Sequence, residues 1–205
     1  MKTNELSHLA PGRAWTGRAS ARAADAFAGA ADARDLIDVG LGVVGSPIGD
    51  LTVAVSRRGL AAVLFADEDI DAAMERIARD LSPRILGSAR RTQDARRELE
   101  EYFEGKRRRF DLKVDRRLIH GIAREVLAAT SRVPFGRVTT YGELAGRIGH
   151  PKAARAVGNA LGSNPIPIVI PCHRVLRAGG ALGGYAGGLD RKTRLLALEG
   201  HLPGK

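Results

Sequence analysis

Apolar and polar positions change rhythm twice along this chain. Over residues 1–35 large apolar side chains are sparse and Ala, Gly and Arg dominate. That pattern predicts a flexible extension without a core of its own, partly helical over 21–35. From Leu36 the rhythm becomes that of strands. Residues 37–44 are apolar with Gly interruptions, and Ser46-Pro47-Ile48-Gly49-Asp50 carries turn chemistry. Residues 51–55 alternate, Arg57-Arg58-Gly59 marks a second turn, and 60–65 reads as a third strand. Ile70, Ala73, Met74, Ile77 and Leu81 fall on one helical face. A second helix is predicted over 92–103, ended by Gly105 in the usual C-terminal position. Residues 110–114 are expected to return as an edge strand. Together these elements predict an α+β domain over 36–115.

Past 116 the spacing is mostly helical, predicting a mainly helical domain over 116–205. Ile122, Val126 and Leu127 define a helix within 118–130, and Val133-Pro134-Phe135-Gly136 turns the chain. Thr140 with Glu143 three residues later forms a capping-box pattern, opening a helix that runs to about Ile148. Gly149-His150-Pro151 breaks it before another helix over 152–161. The glycines of 179–188 predict a loop, and 191–199 a last helix. Two short helices about a Gly-containing turn suggest a helix-turn-helix. Its second helix, Lys152-Ala153-Ala154-Arg155-Ala156-Val157-Gly158-Asn159-Ala160, is built of small residues around one long cation. Such a helix suits close approach to a groove wall with little base readout, although on its own an Ala-rich helix more often serves plain packing.

Composition narrows the classes. The 205 residues are 44% hydrophobic and 27% charged, ordinary for a globular chain, and no apolar run approaches the ~18–20 residues of a membrane span. A net charge of +10 favours an anionic partner, nucleic acid first. Arg13, Arg18 and Arg22 hint at a presequence, but Glu5, Asp25, Asp32 and Asp35 dilute that pattern and no apolar signal core is present. The single cysteine excludes an internal disulfide and a cysteine-rich zinc site. It fits a reducing, cytoplasmic setting.

That cysteine ends an apolar run: Ile166-Pro167-Ile168-Val169-Ile170-Pro171-Cys172-His173-Arg174-Val175. A structural cysteine needs no special neighbours. This one follows a proline and precedes an imidazole and a guanidinium, either of which favours thiolate. Successive residues of an extended chain face opposite ways, so Cys172 and His173 cooperate only across a turn. His173 then accepts the thiol proton, directly or through water, if a carboxylate orients it. Glu199 and Asp190 are both candidates for that carboxylate. Lys192-Thr193 follows the glycine tract without the glycine of a P-loop, so the tract reads as a pocket wall around Tyr185. Ser46 and Ser163 lack the nucleophile-elbow pattern.

The chain closely resembles the O6-alkylguanine-DNA alkyltransferases. The resemblance rests on Ile170-Pro171-Cys172-His173-Arg174-Val175, Arg155-Ala156-Val157-Gly158, Asn164-Pro165, Thr140-Tyr141-Gly142-Glu143-Leu144-Ala145 and Leu198-Glu199-Gly200. Ser46-Pro47-Ile48-Gly49 and Tyr102-Phe103-Glu104-Gly105 extend it over roughly residues 40–200. It implies a ribonuclease-H-like N-terminal domain and a helical domain containing the helix-turn-helix. It also implies a single-turnover DNA repair protein that moves a methyl or small alkyl group from O6-alkylguanine in double-stranded DNA onto Cys172, with O4-alkylthymine left open. His173 would be the base, oriented by Glu199, with Asn164 behind the nucleophile and Tyr141 and Lys192 beside it. Arg155 would fill the duplex after nucleotide flipping, with Tyr141, Gly142, Ala154 and Gly158 also on the DNA. Pro167, Val175, Tyr185 and Ala186 would line the substrate pocket. No cofactor or metal is implied, and a monomer is expected. Ala186 stands where the family often has Ser, and Gly121 or Ile122, and Leu127, where it has large aromatics. The related damage-binding modules that do not transfer lack the acceptor cysteine, which this chain has. A cysteine hydrolase, the third reading, has no signature here.

Overall fold

Strands β1 (Val39–Val44), β2 (Leu51–Ser56) and β3 (Gly59–Phe65) form an antiparallel meander, with β4 (Ile85–Gly87) beside β1 in parallel, giving the order β3-β2-β1-β4. This computed structural model describes residues 18–201. The residues divide into two units, the first ending at Leu36 and the second starting at Ile37. Within the first, α1 (Arg18–Ala33) lies where residues 21–35 were expected to be partly helical. Residues 1–17 of the expected extension lie outside the described ones.

The sheet buries both faces. Leu51, Val53, Val63 and Phe65 join Ala95, Leu99 and Tyr102 of α3 (Ala89–Phe103) in the main core. Ala54, Ala62 and Leu64 join Ile77 of α2 (Ile70–Asp80) in a second cluster. Two-sided burial explains why these strands read as nearly continuous apolar runs. The glycines of β1 have a packing reason: a Cβ on Gly42 would stand 2.5 Å from the Thr92 hydroxyl, and one on Gly40 2.8 Å from Arg91 Cβ. They let α3 lie flat on the strand. Asp69 caps α2 and Ser88 caps α3 through their side chains, which starts α3 three residues earlier than apolar spacing suggests.

The expected edge strand over 110–114 does not form. Only Val114 makes a bridge, to Leu60, and the fourth strand is 85–87, too short and too flanked by polar residues to announce itself. Residues 113–115 and Pro165 instead cover the β3 edge, through Leu60 N–H to Lys113 O (2.9 Å) and Val63 N–H to Pro165 O (2.9 Å). A covered edge offers no template to another chain.

The helical half contains α4 (Ala123–Thr130), α5 (Tyr141–Arg147), α6 (Ala154–Gly162) and α7 (Leu189–Leu198). The helix expected over 118–130 starts only at Ala123, because Gly121 at φ 55 turns the chain first. Leu127 is fully buried while Ile122 stays 39% exposed. Helices α5 and α6 make the helix-turn-helix, packed through Leu144, Ala145, Val157 and Ala160. The capping box at α5 is present, with Thr140 accepting from Glu143 N–H and Glu143 accepting from Thr140 N–H. Residues of both halves share the main core, from Val44 to Leu195. Among the described residues no helix is long and apolar enough to cross a membrane.

Candidate active site

Three consecutive local structures aim the cysteine. The Val169 N–H donates to Pro167 O (2.9 Å) around Ile168, which sits at φ 73, a strained conformation for a β-branched residue. Next, Cys172 N–H donates to Ile170 O (2.8 Å) around Pro171 at φ −82, ψ 64, an inverse γ-turn that the proline ring presets. Cys172–Arg174 then forms one 3₁₀ turn. At three residues per turn, neighbouring side chains diverge by about 120°. The turn takes the segment out of extended geometry, in which the two side chains would face opposite ways.

Asn164 holds the loop from behind. Its Oδ1 accepts from Ile166 N–H (3.1 Å), while its Nδ2 donates to Ile170 O (2.9 Å) and to Cys172 Sγ (3.2 Å). Just after the cysteine, β6 (Val175–Leu176) pairs in parallel with β5 (Thr139–Thr140), Thr139 opposite Val175. Tyr141 begins α5 at the next residue, so this two-residue ladder ties the nucleophile segment to the first turn of the helix-turn-helix.

Cys172 lines a cavity of about 760 Å³, together with Tyr141, Tyr185 and Ala186, within the usual range for ligand pockets. Gly142, Ala154, Arg155 and Gly158 form the helix-turn-helix side of it. Arg155 is exposed, with no hydrogen bond or ion pair among the described residues. Pro167 and Val175 do not line this cavity. Both are buried behind it, where the Val175 carbonyl accepts from Lys192.

Helix α7 carries two charged side chains seven residues apart, and therefore on one face. Lys192 is fully buried, and its ammonium donates to Val175 O (2.6 Å), Leu182 O and Gly184 O (3.3 Å). The Tyr141 hydroxyl donates to the same Gly184 carbonyl at 3.4 Å. Glu199 caps the far end. Its Oε1 accepts from His173 Nε2 (2.9 Å), Arg174 Nη2 (2.8 Å) and the Tyr102 hydroxyl (2.7 Å). Its Oε2 accepts from Arg174 Nε (2.8 Å) and Gly136 N–H (3.2 Å). The structure thus selects Glu199 over Asp190, which is exposed in the first turn of α7.

Electrostatics follow from these contacts. Burial pushes the Cys172 thiol up to about 11, opposed by the Asn164 hydrogen bond and the Lys192 charge. Burial also lowers Lys192 to about 8. Glu199 is held down at about 2: burial opposes this, but the His173 and Arg174 hydrogen bonds outweigh it. Desolvation lowers His173, helped by Arg174 and Lys192 against the pull of Glu199. His173 is therefore neutral at pH 7 with its proton on Nε2, facing the carboxylate. Its Nδ1 is buried, finds no protein hydrogen bond and keeps its lone pair. Burial raises Tyr141, which stays a hydroxyl donor.

Two residues were misjudged or missed from sequence. Arg174 does not favour the thiolate; its guanidinium is spent on Glu199 and on Val133 O (2.6 Å). Tyr102, read only as an inward helix residue, reaches the carboxylate of Glu199. No local pattern could have found that bond, since 97 residues separate the pair.

A mixed sheet with helices on both faces, a helical half carrying a helix-turn-helix, and one thiol flooring the cavity between that motif and a glycine loop define the class. Residues 41–116 match the family description "6-O-methylguanine DNA methyltransferase, ribonuclease-like domain" and residues 121–201 its "DNA binding domain". The chain is 44% identical over 156 residues to the methylated-DNA–protein-cysteine methyltransferase of Mycolicibacterium paratuberculosis, covering 76% of this chain and 89% of the relative. The solved Mycobacterium tuberculosis O6-methylguanine methyltransferase superposes with a TM-score of 0.68 at 35% identity, over 82% of this chain and 96% of that one. Mycobacterium tuberculosis OGT in complex with DNA gives 0.66 at 37%, over 77% and 90%. The chain belongs to the methylated-DNA–protein-cysteine methyltransferase family.

Proposed function

We propose that this chain repairs double-stranded DNA by moving a methyl or small alkyl group from guanine O6 irreversibly to Cys172, once per molecule. The observation that carries the reading is the sulfur at the floor of a cavity walled by the helix-turn-helix, with a neutral, carboxylate-held histidine next to it in sequence. The names of its relatives and the DNA complex of one of them support the same reading. Residues 116–205 act as the DNA-binding and transfer domain and 36–115 as the scaffold beneath it. The protein works as a monomer in the cytoplasm, where a lone thiol persists.

A lesion stacked in a duplex cannot reach a buried thiol, so the nucleotide is extruded at a cost of a few kcal/mol. Arg155, exposed at the cavity's edge, occupies the gap, while phosphate contacts supply affinity without sequence preference. A thiol at about 11 costs roughly 5 kcal/mol to ionise at pH 7. The proton therefore leaves as the sulfur attacks, passing to His173 Nδ1 directly or across one water. The Sγ–C bond forms and the C–O6 bond breaks, its electron pair entering the guanine ring. Tyr141 donates its hydroxyl hydrogen bond to the ring as that charge develops. The product thioether has no leaving group the site can expel, so the protein is consumed. No cofactor is required, because the departing group is an aromatic base.

Incubating the full chain with a duplex oligonucleotide carrying O6-methylguanine should add one methyl mass, located on Cys172 by peptide mapping. Cys172→Ala should still bind the duplex and acquire nothing. Repeated turnover, or methyl transfer by that variant, contradicts the proposal.

A further inference from the structure

The nucleophile segment has a second side. Val169, Ile170 and Pro171 line a separate groove of about 520 Å³ that shares no lining residue with the cavity holding Cys172. Its walls are apolar, chiefly Leu112, Val114, Val133 and Phe135, and its rim carries Arg108, Arg109, Arg116 and Arg132 with no Asp or Glu among the lining residues. All four rim arginines are exposed. Arg108, Arg116 and Arg132 form no ion pair among the described residues. Arg109 has only a long contact, 3.8 Å, with an exposed Asp111. Gathered like charges around an apolar trough repel one another. They gain when carboxylates come to them.

We propose that this groove binds an acidic peptide segment of a partner protein, with a bulky apolar side chain seated on the floor and flanking carboxylates paired to the arginine rim. Single-stranded nucleic acid fits less well, because its bases need free aromatic faces to stack on. The Phe135 ring already lies under the guanidiniums of Arg108 and Arg174, 5.6 and 5.9 Å from its centroid, and Phe110 packs against Tyr102 at 5.4 Å. The remaining walls are mostly aliphatic. The groove's volume suits one or two large side chains with adjoining backbone.

The test uses the full chain and a fluorescein-labelled peptide of four Asp followed by Leu and Phe, read by anisotropy. Saturable binding is expected. It should weaken about tenfold or more in Arg116→Glu/Arg132→Glu, when Asn replaces Asp in the peptide, or at high salt. Leu112→Ser, or a peptide ending in two Ser, should cost a similar factor. The control Arg79→Glu/Arg97→Glu, with the same net charge, should bind as wild type. Methyl transfer measured without peptide should stay within about twofold in every variant, so that it reports on Cys172 chemistry independently. The proposal is overturned by absence of saturable binding, by equal loss in the control pair, or by insensitivity to the apolar end. It is equally overturned if an oligo-dT strand, and not the peptide, shows the arginine dependence, since the groove is then a nucleic-acid surface.

Discussion

Replacing Glu199 by Gln keeps the shape of the side chain and removes its charge. In the native protein that carboxylate accepts five hydrogen bonds, three of them from His173 and Arg174, at almost no exposure. A carboxylate at a helix C-terminus is disfavoured by the helix dipole, so those donors must overcome both that field and burial. The ionised form is favoured from an ordinary 4.5 down to about 2, worth about 3 kcal/mol of folding stability. Removing one partner of a buried pair independently suggests about 3–5 kcal/mol, because the Arg174 cation is left uncompensated. Two routes thus meet near 3 kcal/mol, or a drop in Tm of about 6–12 °C for a chain this size. The sign with pH follows from the depressed value. The stabilisation is fully present above 4.5 and is lost as pH falls through about 2. Thermal unfolding by circular dichroism at pH 7 should show the full deficit of Glu199→Gln, and the gap should close between pH 4.5 and 2. A variant within 1 kcal/mol of wild type at pH 7, or a gap unchanged by acid, would refute the charge assignment.

Three other outcomes follow from the site. Since His173 is held below its ordinary value and stays neutral, the single-turnover methyl-transfer rate should hold from pH 7 down to about 6.5 and fall only below that, with any change near pH 8 belonging to Lys192; a fall in rate already complete above pH 6.5 would show that a different base controls the step. In Gly183→Ala, a Cβ at φ 65 would lie 2.8 Å from the Tyr141 hydroxyl, so transfer should slow about tenfold or more with little change in duplex affinity, measured by quenched-flow and gel shift. Thr140→Ala removes half of the α5 capping box and should cost about 1 kcal/mol, seen as a Tm lowered by about 2–4 °C.

Local rules carried much of the fold. The capping box at Thr140, the glycine after Phe103 and the apolar faces of α2 and α3 are signals contained within a turn or two, and each element stands where its signal lies. The failures have two physical causes. Strand β4 and the lost edge strand near Val114 are decided by which distant segment pairs with the sheet, a choice that spacing cannot adjudicate. The start of α4 moved because Gly121 adopts a positive φ that apolar periodicity does not register.

The site divides along the same line. Cys172, His173 and Pro171 are neighbours, and the proline presets the turn that takes the chain out of extended geometry at that point. Whether that imidazole is a base depends on groups scattered over the chain: Tyr102 on α3, Gly136 in a turn, Arg174 beside the histidine and Glu199 on α7. The carboxylate works only because enough donors converge to keep it ionised against burial and the helix dipole, and Arg174 supplies two of them. A guanidinium adjacent to a reactive cysteine looks like an activator in one dimension. In three it is the counter-ion that fixes the histidine's tautomer and leaves Nδ1 free. The charge two residues past the sulfur thus pairs with a carboxylate 25 residues away, while the cation that does lower the thiol, Lys192, comes from the same helix as that carboxylate.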